Sequence, residues 1–141
     1  MSSLRKSGCP INLSLELLGD RWTLMIIRDM MFAGHRHFRE FLQSGEGISS
    51  RTLAERLQRL QDEGVLTRRG DPRHKLKAIY SLTEAGIDLL PLLVELGVWG
   101  SRHRPADPEL AAAAERLAAG GPEAMADLKR RLAADHLARS T

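Results

Sequence analysis

A chain of 141 residues with 43% hydrophobic content can bury one core, so one domain with accessory elements is expected rather than two. Its single cysteine rules out an intrachain disulfide framework, and with no apolar run near the length of a membrane span and no apolar signal segment, a cytoplasmic protein without a membrane partner is expected. The net charge of +3 is uneven: residues 34–81 hold ten Lys or Arg against six acids, +4, while residues 1–33 contribute +1 and residues 82–104 and 105–141 contribute −1 each.

In chain order, Leu4 to Gly8 reads as an irregular arm carrying Arg5 and Lys6. Pro10 suits the first position of a helix, where its missing amide costs nothing, and Ile11, Leu13, Leu15, Leu17 and Leu18 continue that helix to Gly19. These five apolar residues cover too much of the circumference for a single buried stripe, which implies a second contact surface. Asp20 is placed to cap the next helix, Arg21 to Met31, whose Trp22, Leu24, Met25, Ile26, Ile27, Met30 and Met31 make it the most buried of the N-terminal half. Gly34 ends it.

A short third helix, Phe38 to Leu42, is followed by a turn over Ser44-Gly45-Glu46-Gly47. The fourth helix begins at Ser49 or Ser50, whose hydroxyls can accept from the unpaired amides of a first turn. Leu53, Leu57 and Leu60 line its inner face, and Ser50, Arg51, Glu55, Arg56 and Arg59 its outer face. Such a helix suits a major groove, where hydroxyls and arginines near the start meet base edges and phosphates. Taken alone, it fits an ordinary amphipathic helix with a solvated charged face equally well. After Gly64, the strand-like runs Val65 to Arg69 and Lys77 to Leu82 flank Gly70-Asp71-Pro72-Arg73-His74-Lys75, a hairpin with a basic tip. The order of elements predicts a winged helix-turn-helix, with Arg73 and Lys75 as backbone or groove contacts of the wing. The positive surplus of residues 34–81 falls on this unit, the footprint of an anionic partner such as double-stranded DNA, although an excess this small also fits a solvated surface.

Thr83 is placed to cap a long helix from Glu84 to about Arg102. Ile87, Leu89, Leu90, Leu92, Leu93, Val94, Leu96, Val98 and Trp99 leave it almost no polar face, so one side is expected to meet a second subunit. Pro91 should kink this helix unless it starts later. Beyond Pro105 and Pro108, Glu109 to Ala119 and Pro122 to Ala138 look helical, with Met125, Leu128 and Leu132 on one side of the second. The expectation is thus a mainly α chain with a small β-hairpin (α+β): a domain over residues 8–104 with flanking dimerisation helices, and a helical C-terminal tail over 105–141 of open role.

The pattern resembles the HxlR-type family of bacterial transcription regulators, winged-helix relatives of the MarR group, over roughly residues 8–103. The resemblance is carried by Cys9-Pro10, Leu18-Gly19-Asp20-Arg21-Trp22, Phe38-Arg39-Glu40-Phe41, Gly47-Ile48-Ser49, Leu53-Ala54-Glu55-Arg56-Leu57 with Leu60, Gly64-Val65-Leu66, Tyr80-Ser81-Leu82-Thr83-Glu84-Ala85-Gly86 and Trp99-Gly100. No one of these is specific; their order and spacing together are. The resemblance implies a homodimer in which the first and last family helices pair across a two-fold axis, here through Ile11, Leu15, Leu89, Leu93, Leu96 and Trp99. It also implies that both recognition helices enter successive major grooves of a pseudo-palindromic operator, with Ser49, Ser50, Arg51, Thr52, Arg56, Arg59, Arg73 and Lys75 as the DNA-binding set. The wing of such proteins often carries consecutive prolines where this chain has Asp71-Pro72-Arg73-His74-Lys75, and the tail after Pro105 has no counterpart in the short members.

Cys9 precedes Pro10 at a helix start, where unpaired amides favour an anion and Arg5 and Lys6 add positive potential. Relatives use a cysteine at this position to sense oxidants or electrophiles, which makes Cys9 the candidate thiol sensor; a small apolar residue in a dimer seam is the plainer alternative. His35 and His37, beside Arg36 and Arg39, read as polar groups at the start of the third helix rather than metal ligands, and no metal or cofactor is expected. No carboxylate pair with a cleft, phosphate-cradling glycine loop or nucleophile elbow is present, so catalysis is not expected. The Trp22, Met25, Met30 and Met31 group reads as core, with a cavity beside the dimer helices as the place for a small effector. Two functions follow: a DNA-binding repressor or activator, and a winged-helix module using the same surface for a protein partner.

Overall fold

The computed structural model describes residues 7–137, apart from the side chains of residues 74–76, and begins with helix α1 (Pro10–Leu18). Arg5, Lys6 and Ala138 lie outside the described residues. Pro10 opens α1 as its spacing predicts, and Cys9 is the capping position. Only Leu18 of this helix is buried; Ile11 is 72% exposed and Leu15 is also exposed, as expected of a helix with more apolar residues than one core contact uses. Helix α2 (Arg21–Phe32) is capped by Asp20, whose Oδ1 accepts from the Thr23 backbone N–H at 3.1 Å. Its inner side, with Ile26, Ile27, Met30 and Met31, forms the middle of the core, and Trp22 packs against it.

Helix α3 (Phe38–Leu42) and helix α4 (Ser50–Asp62) form the helix-turn-helix, and both α2 and α3 pack on α4. Leu53, Leu57 and Leu60 are fully buried beside Phe41, Ile27 and Met30. The turn between them takes positive φ at Gly45 (91°) and Gly47 (85°), a conformation that disfavours any side chain. Strands β1 (Leu66–Asp71) and β2 (His74–Leu82) pair antiparallel from Leu66–Leu82 to Asp71–His74, with an irregularity at Gly70 and Asp71. Pairing therefore runs further than the sequence predicts, and the loop expected over residues 70–75 shrinks to a turn at Pro72 and Arg73. The Asp71 carboxylate closes that turn by accepting the Arg73 backbone N–H at 2.9 Å.

The expected long helix from Glu84 is two helices, α5 (Glu84–Ile87) and α6 (Leu90–His103). Pro91 has no N–H to continue the ladder and its ring would meet the carbonyl four residues back, so the chain breaks and Pro91 occupies the first turn of α6. Thr83 caps α5 through Gly86 N–H (3.2 Å) and its hydroxyl donates to the Gly64 carbonyl (2.6 Å), which fastens the end of β2 to the start of β1. Gly86 permits the close approach: a Cβ there would lie 2.6 Å from the Val65 carbonyl oxygen.

Helix α7 (Pro108–Ala119), capped by Asp107, returns along α6, where Arg102 forks onto Glu115 with two 3.0 Å bonds. Helix α8 (Gly121–His136) then packs on α5. Leu132 is buried in the central cluster with Leu82, Ile87 and Leu90, and Met125 and Leu128 pack against it. No helix among the described residues is long and apolar enough to cross a membrane.

Candidate nucleic-acid interface

The start of α4 is built by two hydroxyls. Ser49 Oγ accepts the Thr52 backbone N–H at 3.1 Å and donates to Thr52 Oγ1 at 3.0 Å, so both hydroxyls are oriented by the cap. Ser50 and Arg51 project beyond it. The Arg51 side chain is 90% exposed, and its Nε lies 3.9 Å from the Glu55 carboxylate.

The three arginines expected on one face are divided by the structure. With about 100° per residue, Arg51 stands opposite the Leu53–Leu57–Leu60 stripe, whereas Arg56 borders it. Arg56 is 28% exposed and its Nε donates to Asp20 Oδ2 at 2.6 Å. Arg59 Nη2 donates to the backbone carbonyl of Glu16. Both arginines thus bind α4 to the corner between α1 and α2, and Asp20 serves two helices at once. Burial raises the Asp20 carboxyl, but the hydrogen bonds from Thr23 and Arg56 outweigh it and hold the group below the ordinary aspartate value.

The turn ahead of α4 is held by a second ionic group. Arg28 donates to Glu46 at 2.9 Å and to Asp29 at 2.7 Å, and Arg21 donates to the other Glu46 oxygen at 3.2 Å. The hydrogen bond from Arg28 is the main reason the Glu46 carboxyl lies below its usual value.

At the hairpin tip Arg73 is exposed, and Lys75 lies in β2 with its side chain outside the described ones. The tip is tied to the start of α3: His37 Nε2 lies 2.8 Å from Asp71 Oδ2 and His37 Nδ1 lies 3.3 Å from Glu40 Oε1. Glu40 also accepts the backbone N–H groups of Arg36 (2.7 Å) and His37 (3.0 Å). Burial raises its carboxyl, yet these two backbone bonds and the imidazole bring it below the ordinary glutamate value. His37 and Glu40 have capping-box spacing, the one sequence signal for this contact; nothing local points to Asp71.

Away from this surface, α6 presents Leu92, Leu96 and Trp99, spaced four and three residues apart, all exposed, with Trp99 at 59%. Leu89 and Leu93, grouped with Leu96 and Trp99 by sequence, are instead partly buried against the core; Leu93 lies about 100° around the helix from Leu92. Cys9 is exposed at the N-cap of α1, on the same helix as exposed Ile11 and Leu15.

Comparison with known proteins agrees with this geometry. Residues 17–108 match the model of a family described as HxlR-like helix-turn-helix. The HTH-type transcriptional regulator Rv3095 of Mycobacterium tuberculosis is 41% identical over 107 residues, 73% of this chain and 64% of that protein, so this chain spans less than two thirds of its length. Among solved structures, the reduced transcriptional regulator YodB of Bacillus subtilis superposes with a TM-score of 0.58 at 33% identity, covering 72% of this chain and all of that one. The redox regulator HypR in its reduced form superposes with a TM-score of 0.60 at 30% identity, covering 68% of this chain and 94% of that one. YodB is also similar to this chain in its diamide-treated and quinone-bound forms, with TM-scores of 0.55 and 0.56.

Proposed function

The chain belongs to the HxlR-like helix-turn-helix family, and on that premise we propose that it is a cytoplasmic, homodimeric transcription regulator that binds double-stranded DNA at a pseudo-palindromic operator. The observation that carries this reading is the start of α4, where Ser50 and Arg51 stand free of the body beside an oriented pair of hydroxyls. Arg51, Ser50 and Thr52 are the base or phosphate contacts, and Ser49 aims them. Arg73 and Lys75 on the wing meet the neighbouring backbone. Arg56 and Arg59 set the pitch of the reading helix, and either can exchange its protein acceptor for a phosphate when DNA is present. A protein partner for the same surface is the alternative.

Salt separates the two. The expected result for DNA recognition is preference for the protein's own promoter over random duplex at physiological salt, measured by fluorescence anisotropy, with affinity falling steeply as salt rises. Arg51→Ala should weaken binding by about tenfold and lower the slope of log affinity against log salt by about one if it contacts a phosphate. Equal affinity for promoter and random DNA would remove the regulator reading.

Cys9 is the proposed sensor within that function. Its exposure at the N-cap, and the similarity to regulators solved in reduced, diamide-treated and quinone-bound forms, favour thiol chemistry. With one cysteine per chain, the accessible products are a disulfide between two subunits, a mixed disulfide with a small thiol, or a quinone adduct. Diamide or a quinone should release the wild-type protein from promoter DNA and leave Cys9→Ser bound. Release of both proteins alike would mean that the thiol is not the sensor.

A further inference from the structure

The family match ends at residue 108, yet a helix beyond it is built into the root of the wing. His136, near the end of α8, is buried, and its Nδ1 accepts the backbone N–H of Leu82 at 3.0 Å. Leu82 is the last residue of β2. The residue before His136 contributes too: the Asp135 carbonyl accepts from Arg36 Nη1 at 3.4 Å. Arg36 in turn donates through Nε to the Tyr80 carbonyl and through Nη2 to Ser81 Oγ, both at 2.6 Å, while its own carbonyl accepts the Tyr80 N–H at 2.8 Å. Three consecutive residues of β2 are therefore gripped on its outer edge, by Arg36 and His136 together. Leu132 inserts into the core one turn before His136, and Lys129 pairs with Asp88 at 3.0 Å, which fixes α8 against α5 and the corner that follows it.

A two-stranded hairpin has an unpaired edge whose buried amides must find an acceptor, and here the acceptor for the last of them comes from the tail. The mechanical consequence is larger than one hydrogen bond. A nine-residue strand is about 25 Å long, so a tilt of about 5° at its root moves the tip by about 2 Å, enough to break a hydrogen bond to a phosphate. The hairpin is tied near its tip by His37 to Asp71 and at its root by Arg36 to Tyr80 and Ser81 and by His136 to Leu82. Together these ties fix its direction. Without the His136 bond the last residue of β2 loses its outer acceptor, and the root, held by Arg36 on one side, can tilt by a few degrees.

We propose that α8 is a wing-positioning element and His136 its positioning residue, acting through the Leu82 amide to set the direction in which the hairpin presents Arg73 to the DNA backbone. The proposal rests on the reading of the hairpin as a DNA-contacting wing, so its test includes a measurement made without DNA. His136→Leu keeps the apolar bulk and removes the acceptor; His136→Asn keeps an acceptor close to the position of Nδ1. Amide exchange at Leu82 in the full chain should accelerate by about tenfold in H136L and return toward wild type in H136N. Binding to a fluorescein-labelled mixed-sequence duplex of about 30 base pairs at low salt should weaken by about tenfold in H136L and recover in H136N. In an Arg73→Ala background, H136L should cost less than about twofold, since the contact it misaligns is already gone. Unchanged Leu82 exchange in H136L would overturn the proposal, as would an undiminished loss of affinity in the R73A background, the mark of general destabilisation. Wild-type affinity in R73A alone would overturn the wing reading and the proposal with it, while Leu82 exchange would still report whether His136 holds the strand.

Discussion

If the chain is the proposed homodimer, Leu96→Glu is expected to separate its two copies and to weaken operator binding by about two orders of magnitude. In a single chain Leu96 is exposed on the outer stripe of α6 with Leu92 and Trp99, so the substitution removes little from the core of that chain. At a two-fold interface the same residue is present twice, and each glutamate would have to be neutralised or buried unpaired, at about 2 kcal/mol or more per copy. The effect on DNA follows from geometry rather than from contact. Two reading helices held at fixed spacing bind two half-sites as one event, and a monomer loses the effective concentration that the partner provides. Sedimentation should give a dimer for wild type and a monomer for L96E. A dimeric L96E with wild-type affinity would show that α6 does not carry the contact.

A pH dependence of comparable size is expected from His136. Burial, reinforced by the positive charge of Arg36 and opposed by Asp135, pushes its pKa from 6.5 down to about 4. The folded protein therefore refuses a proton that the unfolded chain accepts. Above about pH 6.5 the imidazole is neutral in both states and the group has no effect; as pH falls toward 4, only the unfolded state gains the proton and stability declines. The limiting loss, reached once both states are protonated, is about 3 kcal/mol. Carboxylates such as Asp20, Glu40 and Glu46, all held below their ordinary values, add a loss of the same sign at lower pH. The difference in urea-unfolding free energy between wild type and His136→Asn isolates the imidazole: it should be flat above about pH 6.5 and change by about 2 kcal/mol on going to pH 4.5. A difference that stays constant across this range would mean that His136 titrates alike in both states.

Much of the reading unit is legible in the sequence. A hydroxyl cap for α4 at Ser49 or Ser50, the buried Leu53–Leu57–Leu60 stripe, Asp20 as the cap of α2 and the bounds of α3 all follow from residues within one or two turns of each other, and the structure selects Ser49. The hairpin's existence was legible and its length was not. Gly70-Asp71-Pro72 has turn composition, but the Asp71 carboxylate finds His37, distant in sequence, and the strands stay paired to that point. Pro91 is legible as disruptive, and of the two outcomes the sequence allows, a kink or a later start, the structure takes the later start, with α5 ending at Ile87 and α6 beginning at Leu90.

Sequence by itself determined the caps, the apolar faces, the order of elements and hence the winged helix-turn-helix, because each depends on spacings of a few residues that a local backbone geometry repeats. Tertiary structure alone decided which α4 arginines stand outward and which are drawn to Asp20 and Glu16, and it alone joined the tail to the wing through His136 and Leu82, which are 54 residues apart. Such contacts depend on the path of the whole chain, and no local periodicity encodes that path.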